Sequence, residues 1–173
     1  MICLGIDPGS DGAWALYGTA IKARKDAPAV PETLMVWDMP VNVVTVGKSQ
    51  RKRIDIAGVN LLLDEVMMFG APDRIVIEDV AARPGQSGMF AFGFGVGVIH
   101  AILTLRKLRF DTVPSGTWKK AIKVPRDKKE AVVRAEEVFP EHRHLFRNAE
   151  KKGGLRPDRA EAALIAYYGA TVR

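Results

Sequence analysis

The chain has 173 residues, 47% of them hydrophobic and 27% charged, with a net charge of +6. That is an ordinary globular composition of one domain's length, so residues 1–173 read as a single domain and not as a disordered segment. No apolar run reaches the ~18 residues a membrane span needs, and the lone cysteine, Cys3, excludes both an internal disulfide framework and a cysteine-based zinc cluster. The opening MICLGID has no basic n-region and no small-residue cleavage site, so a cytoplasmic protein is expected.

Charge is unevenly spread. Residues 1–105 hold nine Lys/Arg and eleven Asp/Glu, whereas residues 106–156 hold fifteen and seven. A basic block in one third of a small domain suits a polyanion, although a solvated helical surface would look similar.

Ile2 to Asp7 is a short apolar run that meets the turn dipeptide Pro8-Gly9, and a second run follows at Gly12 to Leu16. Glu32 to Asp38 is a third strand candidate, and short turns between the three predict an antiparallel meander. Residues 41–53 lack periodicity and read as a mobile loop. Ile54 to Phe69 places Ile56, Val59, Leu62, Leu63 and Val66 at helical spacing, with Gly70 as a stop. Arg74 to Asp79 is a β-branched run that predicts a buried strand. A loop follows over residues 81–88, then a helix from Phe90 to Lys107, a fifth strand from Arg109 to Val113 and a turn from Pro114 to Thr117. Asp127 to Phe139 is an amphipathic helix ended by Pro140. Pro157 opens the last helix at the first helical position, where proline is tolerated, and the pattern runs to Ala170. The order β-β-β-α-β-α-β-α-α predicts an α/β domain. Its sheet is mixed and five-stranded, a three-strand antiparallel meander plus two parallel strands, with helices on both faces.

Four acids sit where acids are expensive or concentrated. Asp7 ends the first strand. Glu78 lies near the end of a buried strand, where a carboxylate needs a partner or a metal. Asp158 and Glu161 are three apart on one helix face, among Ala160, Ala162, Ala163 and Ala166. If the two strands are neighbours, Asp7 and Glu78 lie side by side, and the last helix completes a four-carboxylate cluster that cannot stay ionised without cations. All-oxygen ligation suits Mg²⁺ or Mn²⁺. Two such ions ~4 Å apart activate water and stabilise the leaving oxygen of a phosphodiester. Taken singly, the same acids also read as a turn cap at Asp7, a solvent-facing strand end at Glu78 and a helix-start charge at Asp158.

Gly5-Ile6-Asp7-Pro8-Gly9-Ser10, Ile77-Glu78-Asp79-Val80 and Asp158-Arg159-Ala160-Glu161 with its alanine-rich continuation resemble, in order, the three acidic motifs of RuvC-type Holliday junction resolvases. That family belongs to the RNase H-like superfamily. Trp37-Asp38-Met39-Pro40, the stretch from Arg83 to Phe90, and Pro114-Ser115-Gly116-Thr117-Trp118-Lys119-Lys120 resemble its small phage and bacterial branch. The resemblance implies an RNase H-like fold and a crossover junction endodeoxyribonuclease. It implies that Asp7, Glu78, Asp158 and Glu161 are both catalytic and metal-binding and hold two Mg²⁺ ions, for which Mn²⁺ substitutes. It also implies a homodimer that makes paired nicks in a four-way DNA junction and leaves 5′-phosphates, with no membrane and no nucleotide cofactor involved. Two positions depart from the family's pattern. Glu161 stands where the best-known members have aspartate, and Ala81 stands where they place an aromatic wedge, which passes junction opening to Met89, Phe90 or Phe92. Related readings are an RNase H-like nuclease acting on RNA–DNA hybrid or structured RNA, and a non-catalytic junction-binding module.

The expected DNA-binding residues are Arg83, Gln86 and Ser87 in the loop after Glu78, then Met89 and Phe90, then Lys119, Lys120 and Lys128. Lys48, Arg51, Lys52 and Arg53 read as a second phosphate-binding arm. Phe94 reads as a core or dimer residue, and Gly93, Gly95 and Gly97 as permitting close helix approach, across a dimer seam or inside the domain. Gly47-Lys48-Ser49 is not a P-loop, because Asn42 stands at its first glycine. The pair His142 and His144 lacks a third ligand nearby.

Overall fold

The computed structural model describes residues 1–18, 21–22, 29–30, 33–80, 88–148 and 154–172. In chain order these form β1 (Ile2–Asp7), β2 (Ala13–Gly18), β3 (Thr33–Asp38), β4 (Val41–Val46), β5 (Ser49–Ile54) and α1 (Ile56–Phe69). Next come β6 (Arg74–Asp79), α2 (Met89–Leu105), β7 (Asp111–Pro114), α3 (Ser115–Ala121), α4 (Lys128–Val138) and α5 (Pro157–Thr171). Two-residue bridges join Ile21–Lys22 to Ala29–Val30 and Arg147–Asn148 to Gly154–Leu155, and a 3₁₀ turn covers Pro140–Phe146.

The central sheet has the order β3-β2-β1-β6-β7. β1 is antiparallel to β2, and β2 to β3, while β1–β6 and β6–β7 are parallel. The mixed five-stranded sheet expected from the element order is the one observed. Side-chain alternation sends each strand's residues to two cores. Leu4, Ile6, Trp14, Leu16, Ile75 and Ile77 pack beneath α1 and α2. Cys3, Ala13, Ala15, Tyr17, Val76 and Val113 pack beneath α3, α4 and α5. Odd positions of β1 and even positions of β6 therefore face α5, and this parity decides where Asp7 and Glu78 point.

Helix starts follow local chemistry. Asp55 accepts from the Ala57 N–H at the head of α1, and Asp127 accepts from the Lys129 and Glu130 N–H groups at the head of α4. α5 begins with Pro157 in its first turn.

Two segments differ from the sequence expectation. Residues 41–53 are not a mobile loop but the hairpin β4–β5, paired from Val41↔Ile54 to Val46↔Ser49. The β-branched run of β4 favours a strand, and Gly47, with φ 63°, opens the two-residue loop where a hairpin turn demands positive φ. Pro114 to Thr117 is not a turn: Pro114 is the last residue of β7. Ser115 already begins α3, which is held by the fully buried Trp118. The expected start of the third strand at Glu32 lies outside the described residues.

Candidate metal and nucleic-acid site

The parallel register Ile6↔Ile77 sets Asp7 beside Glu78 at one edge of the sheet, both on the α5 side. Asp7 and Glu78 are each only 8% exposed. α5 lies directly on β1. A Cβ at Gly5 would stand 2.3 Å from the Ala166 nitrogen and 2.5 Å from the Ala162 oxygen, and one at Gly169 would meet Cys3 Sγ at 2.3 Å. Small residues thus let main chain meet main chain. The first turns of α5 bring Asp158 and Glu161 over the end of β1. Carboxylate oxygens of Asp7, Asp158 and Glu161 lie within 4.8 Å of one another.

Glu78 borders this group but is not part of it. Its Oε1 accepts a 3.0 Å hydrogen bond from the buried indole of Trp118. Of the four acids expected to cluster, three converge, and the fourth is held beside them by a neighbouring side chain.

Two lysines face the acids. Lys119 Nζ is 2.5 Å from Glu161 Oε1, and Lys128 Nζ is 2.8 Å from Asp158 Oδ1 and 3.8 Å from Glu161 Oε2. Burial pushes the Asp7 carboxyl up to about 7, reinforced by Glu78, Glu161 and Asp158 and opposed by the Gly9 N–H. Burial also raises Glu78, against the Trp118 hydrogen bond. Lys128 is raised: burial works against its charge, but the hydrogen bond to Asp158 and the surrounding acids outweigh it. Fully ionised, four carboxylates against two ammonium groups leave an excess of two negative charges. An all-oxygen donor set, a surplus of −2 and an acid driven toward protonation when no cation is near fit a hard divalent ion.

A salt-bridge cluster invisible to the sequence reading flanks the site. Asp38, at the end of β3, accepts from Arg159 Nε at 2.6 Å and Nη2 at 2.9 Å, and from Arg156 Nη2 at 2.5 Å. Hydrogen bonds from Arg159, then Arg156, hold the Asp38 carboxyl down at about 2 against the effect of burial. The two arginines straddle Asp158 and tie the start of α5 to the sheet edge. Their spacing around Asp158 was the signal available in the sequence. Its partner lies 118 residues from Arg156.

Of the expected DNA-binding residues, Lys119 and Lys128 stand at the carboxylates, and Lys120, next to Lys119 in the chain, is exposed. Met89 and Phe90 begin α2, and Phe90 is 90% exposed. Phe94 is exposed on α2 and is not a core residue. Arg83, Gln86 and Ser87, with Ala81, lie outside the described residues. Gly95 packs against Ile54, whereas Gly93 and Gly97 face open space. Cys3 is buried, and burial pushes its thiol up to about 12, as an inert core cysteine requires. The rings of His142 and His144 stack at 6.5 Å, and among the described residues they join no metal-ligand group.

No protein-family model and no curated protein matches the chain. Solved structures do. The Thermus thermophilus RuvC structure matches at a TM-score of 0.53 and 15% identity, covering 97% of this chain and 94% of that one. The fold is that of RuvC. T. thermophilus RuvC in complex with Holliday junction substrate matches at 0.53 and 14% identity over the same shares. The yeast mitochondrial Holliday junction resolvase Ydc2 matches at 0.55 and 15%, covering 96% of this chain and 76% of that one. The RuvC fold agrees with the RNase H-like architecture expected from the sequence. Among the described residues no helix is long and apolar enough to cross a membrane.

Proposed function

We propose that this chain is a divalent-metal-dependent endonuclease that resolves four-way DNA junctions by paired nicks leaving 5′-phosphates. The observation that carries this reading is the convergence of Asp7, Asp158 and Glu161, with Glu78 alongside, at one sheet edge of a RuvC fold. Asp7, Glu78, Asp158 and Glu161 would hold Mg²⁺, with Mn²⁺ as a substitute. Histidine and cysteine are missing from the donor set, which disfavours zinc. When bound, two such ions supply charge neutralisation and an activated water for in-line attack on a phosphodiester.

The remaining roles fall to the protein's own groups. Trp118 orients Glu78 through its indole N–H. Lys119 and Lys128 balance Glu161 and Asp158 in the cation-free chain, and both ammonium groups stand where they would contact phosphate. Lys120, Met89 and Phe90, with Arg83, Gln86 and Ser87, would contact DNA around the cut. Paired cutting needs two sites, hence a homodimer. Phe94, Gly97, Ala101 and Leu105 support one, because they form an exposed small and apolar stripe along α2, with Leu105 81% exposed.

The deciding experiment is cleavage of a labelled immobile four-way junction in Mg²⁺, beside a linear duplex and an RNA–DNA hybrid of matched sequence. Symmetric paired nicks in the junction alone are expected. Cutting of the hybrid and not the junction would move the activity to RNA, and junction binding without cutting in Mg²⁺ or Mn²⁺ would make the chain a binding module.

A further inference from the structure

The hairpin β4–β5 supplies no carboxylate to the site, although Val41 and Lys52 line a cavity with Asp158, and its composition is one-sided. Residues 41–54 hold Lys48, Arg51, Lys52 and Arg53 and no acid. Like charges this close repel unless a counter-charge is supplied. Lys52 meets Asp11 at 2.6 Å, but Lys48, Arg51 and Arg53 make no ion pair among the described residues. All four cations are exposed.

A two-stranded hairpin is marginal alone in water, and this one is braced at its base. Ile54 is buried against Gly95 of α2, where a Cβ would stand 2.5 Å from its Cδ1, and the Asp55 N–H donates to the Pro40 carbonyl at 3.0 Å. The brace holds β5 alongside the first turns of α2. Between them runs a groove of about 710 Å³. Arg51, Lys52 and Arg53 line one side and Phe90 and Phe92 the other, and Pro8 and Ser10, just past Asp7, line it as well. Asp11 also borders the groove, with its charge taken up by Lys52.

Cations facing an exposed Phe90 and a half-buried Phe92 make a specific demand on the ligand. A duplex offers phosphates but hides its base faces in the stack. An unpaired strand offers both, phosphates to the arginines and base faces to phenylalanine. We infer that this groove holds an unpaired DNA strand leading to or from the carboxylate site, its phosphates on Arg51 and Arg53 and a base against Phe90. The inference rests on the nuclease reading above, and it assigns the hairpin as the arm that keeps a strand open beside the point of cutting.

The test is equilibrium binding in EDTA, by fluorescence anisotropy over a salt series, with oligothymidine and with an immobile four-way junction. The variants are Arg51→Ala/Arg53→Ala, Phe90→Ala and, as a charge-matched control outside the groove, Arg109→Ala/Arg143→Ala. The hairpin variant should bind oligothymidine about tenfold more weakly, with the slope of log K against log salt reduced by ~1.4 for two lost phosphate contacts. Phe90→Ala should lose about tenfold with its slope unchanged, because a stacking contact carries no counterion. The control should behave as wild type. Wild-type affinity and slope in the hairpin variant, or an equal loss in the control, would overturn the assignment. A loss confined to the junction would overturn the unpaired-strand part of it. In each of these cases junction cleavage by the wild type would leave the nuclease reading standing. Failure of the wild type to bind either probe would overturn both.

Discussion

Asp7 carries the sharpest residue-scale consequences. Its carboxyl titrates at about 7 in the folded chain, against 3.8 for an ordinary aspartate, chiefly because it is buried. Between those values the folded protein binds more protons than the unfolded one, so the stability of the cation-free protein falls as pH rises from ~4 to ~7. The raised Glu78 acts in the same direction. Thermal unfolding in EDTA should therefore give a higher Tm near about pH 5 than near about pH 8, and Mg²⁺ should restore the difference at the higher pH. Asp7→Asn removes the buried charge. It should stabilise the cation-free protein at about pH 8 by on the order of 2 kcal/mol. The same variant should lose junction cleavage by more than about a hundredfold, with junction affinity retained because the cationic surface is untouched. A variant that cuts at the wild-type rate would show that Asp7 is not at the centre of the chemistry.

At the scale of elements, the seat of α5 on β1 decides whether the acids meet. Gly5→Ala forces a Cβ to within 2.3 Å of the Ala166 nitrogen, a collision with backbone that no rotamer relieves. The expected result is a loss of at least about 3 kcal/mol in urea unfolding, together with lost cleavage. Much of this element was legible in advance. Acids in an alanine-rich helical run, and an acid ending a buried strand, are costly placements that composition exposes. The hairpin was not legible, because the polar SQRKR side of β5 hides alternation. Its β-branched partner strand and Gly47 were the available clues. α3 was missed for a similar reason: Pro-Ser-Gly-Thr reads as a turn, and only the burial of Trp118 three residues after Ser115 makes it helical. The Asp38–Arg156–Arg159 clamp and the lysine–carboxylate pairs join positions far apart in the chain, which no local pattern encodes.

For the whole molecule, the open question is how many copies act together. The exposed stripe of α2 offers Phe94 and Leu105 across Gly97 and Ala101. If a second copy covers it, Phe94→Glu/Leu105→Glu should shift the protein from dimer to monomer in light scattering, with its Tm barely changed because both positions are exposed in one chain. Monomers should then nick one strand of a junction and lose the paired, opposed cut. A wild type that is monomeric at micromolar concentration would remove the basis for paired nicking.

Asp7 and Asp158 are 151 positions apart (158 − 7), and the helix bearing Asp158 must pack on the strand bearing Asp7 before their carboxylates meet. At ~5–20 residues per second of synthesis, about 8–30 s separate their appearance at the ribosome. Throughout that interval the newborn chain has at most two of the four acids, Asp7 and Glu78, and a chain halted early never gains the rest. The order of synthesis thus leaves unfinished copies unable to gather these carboxylates at all.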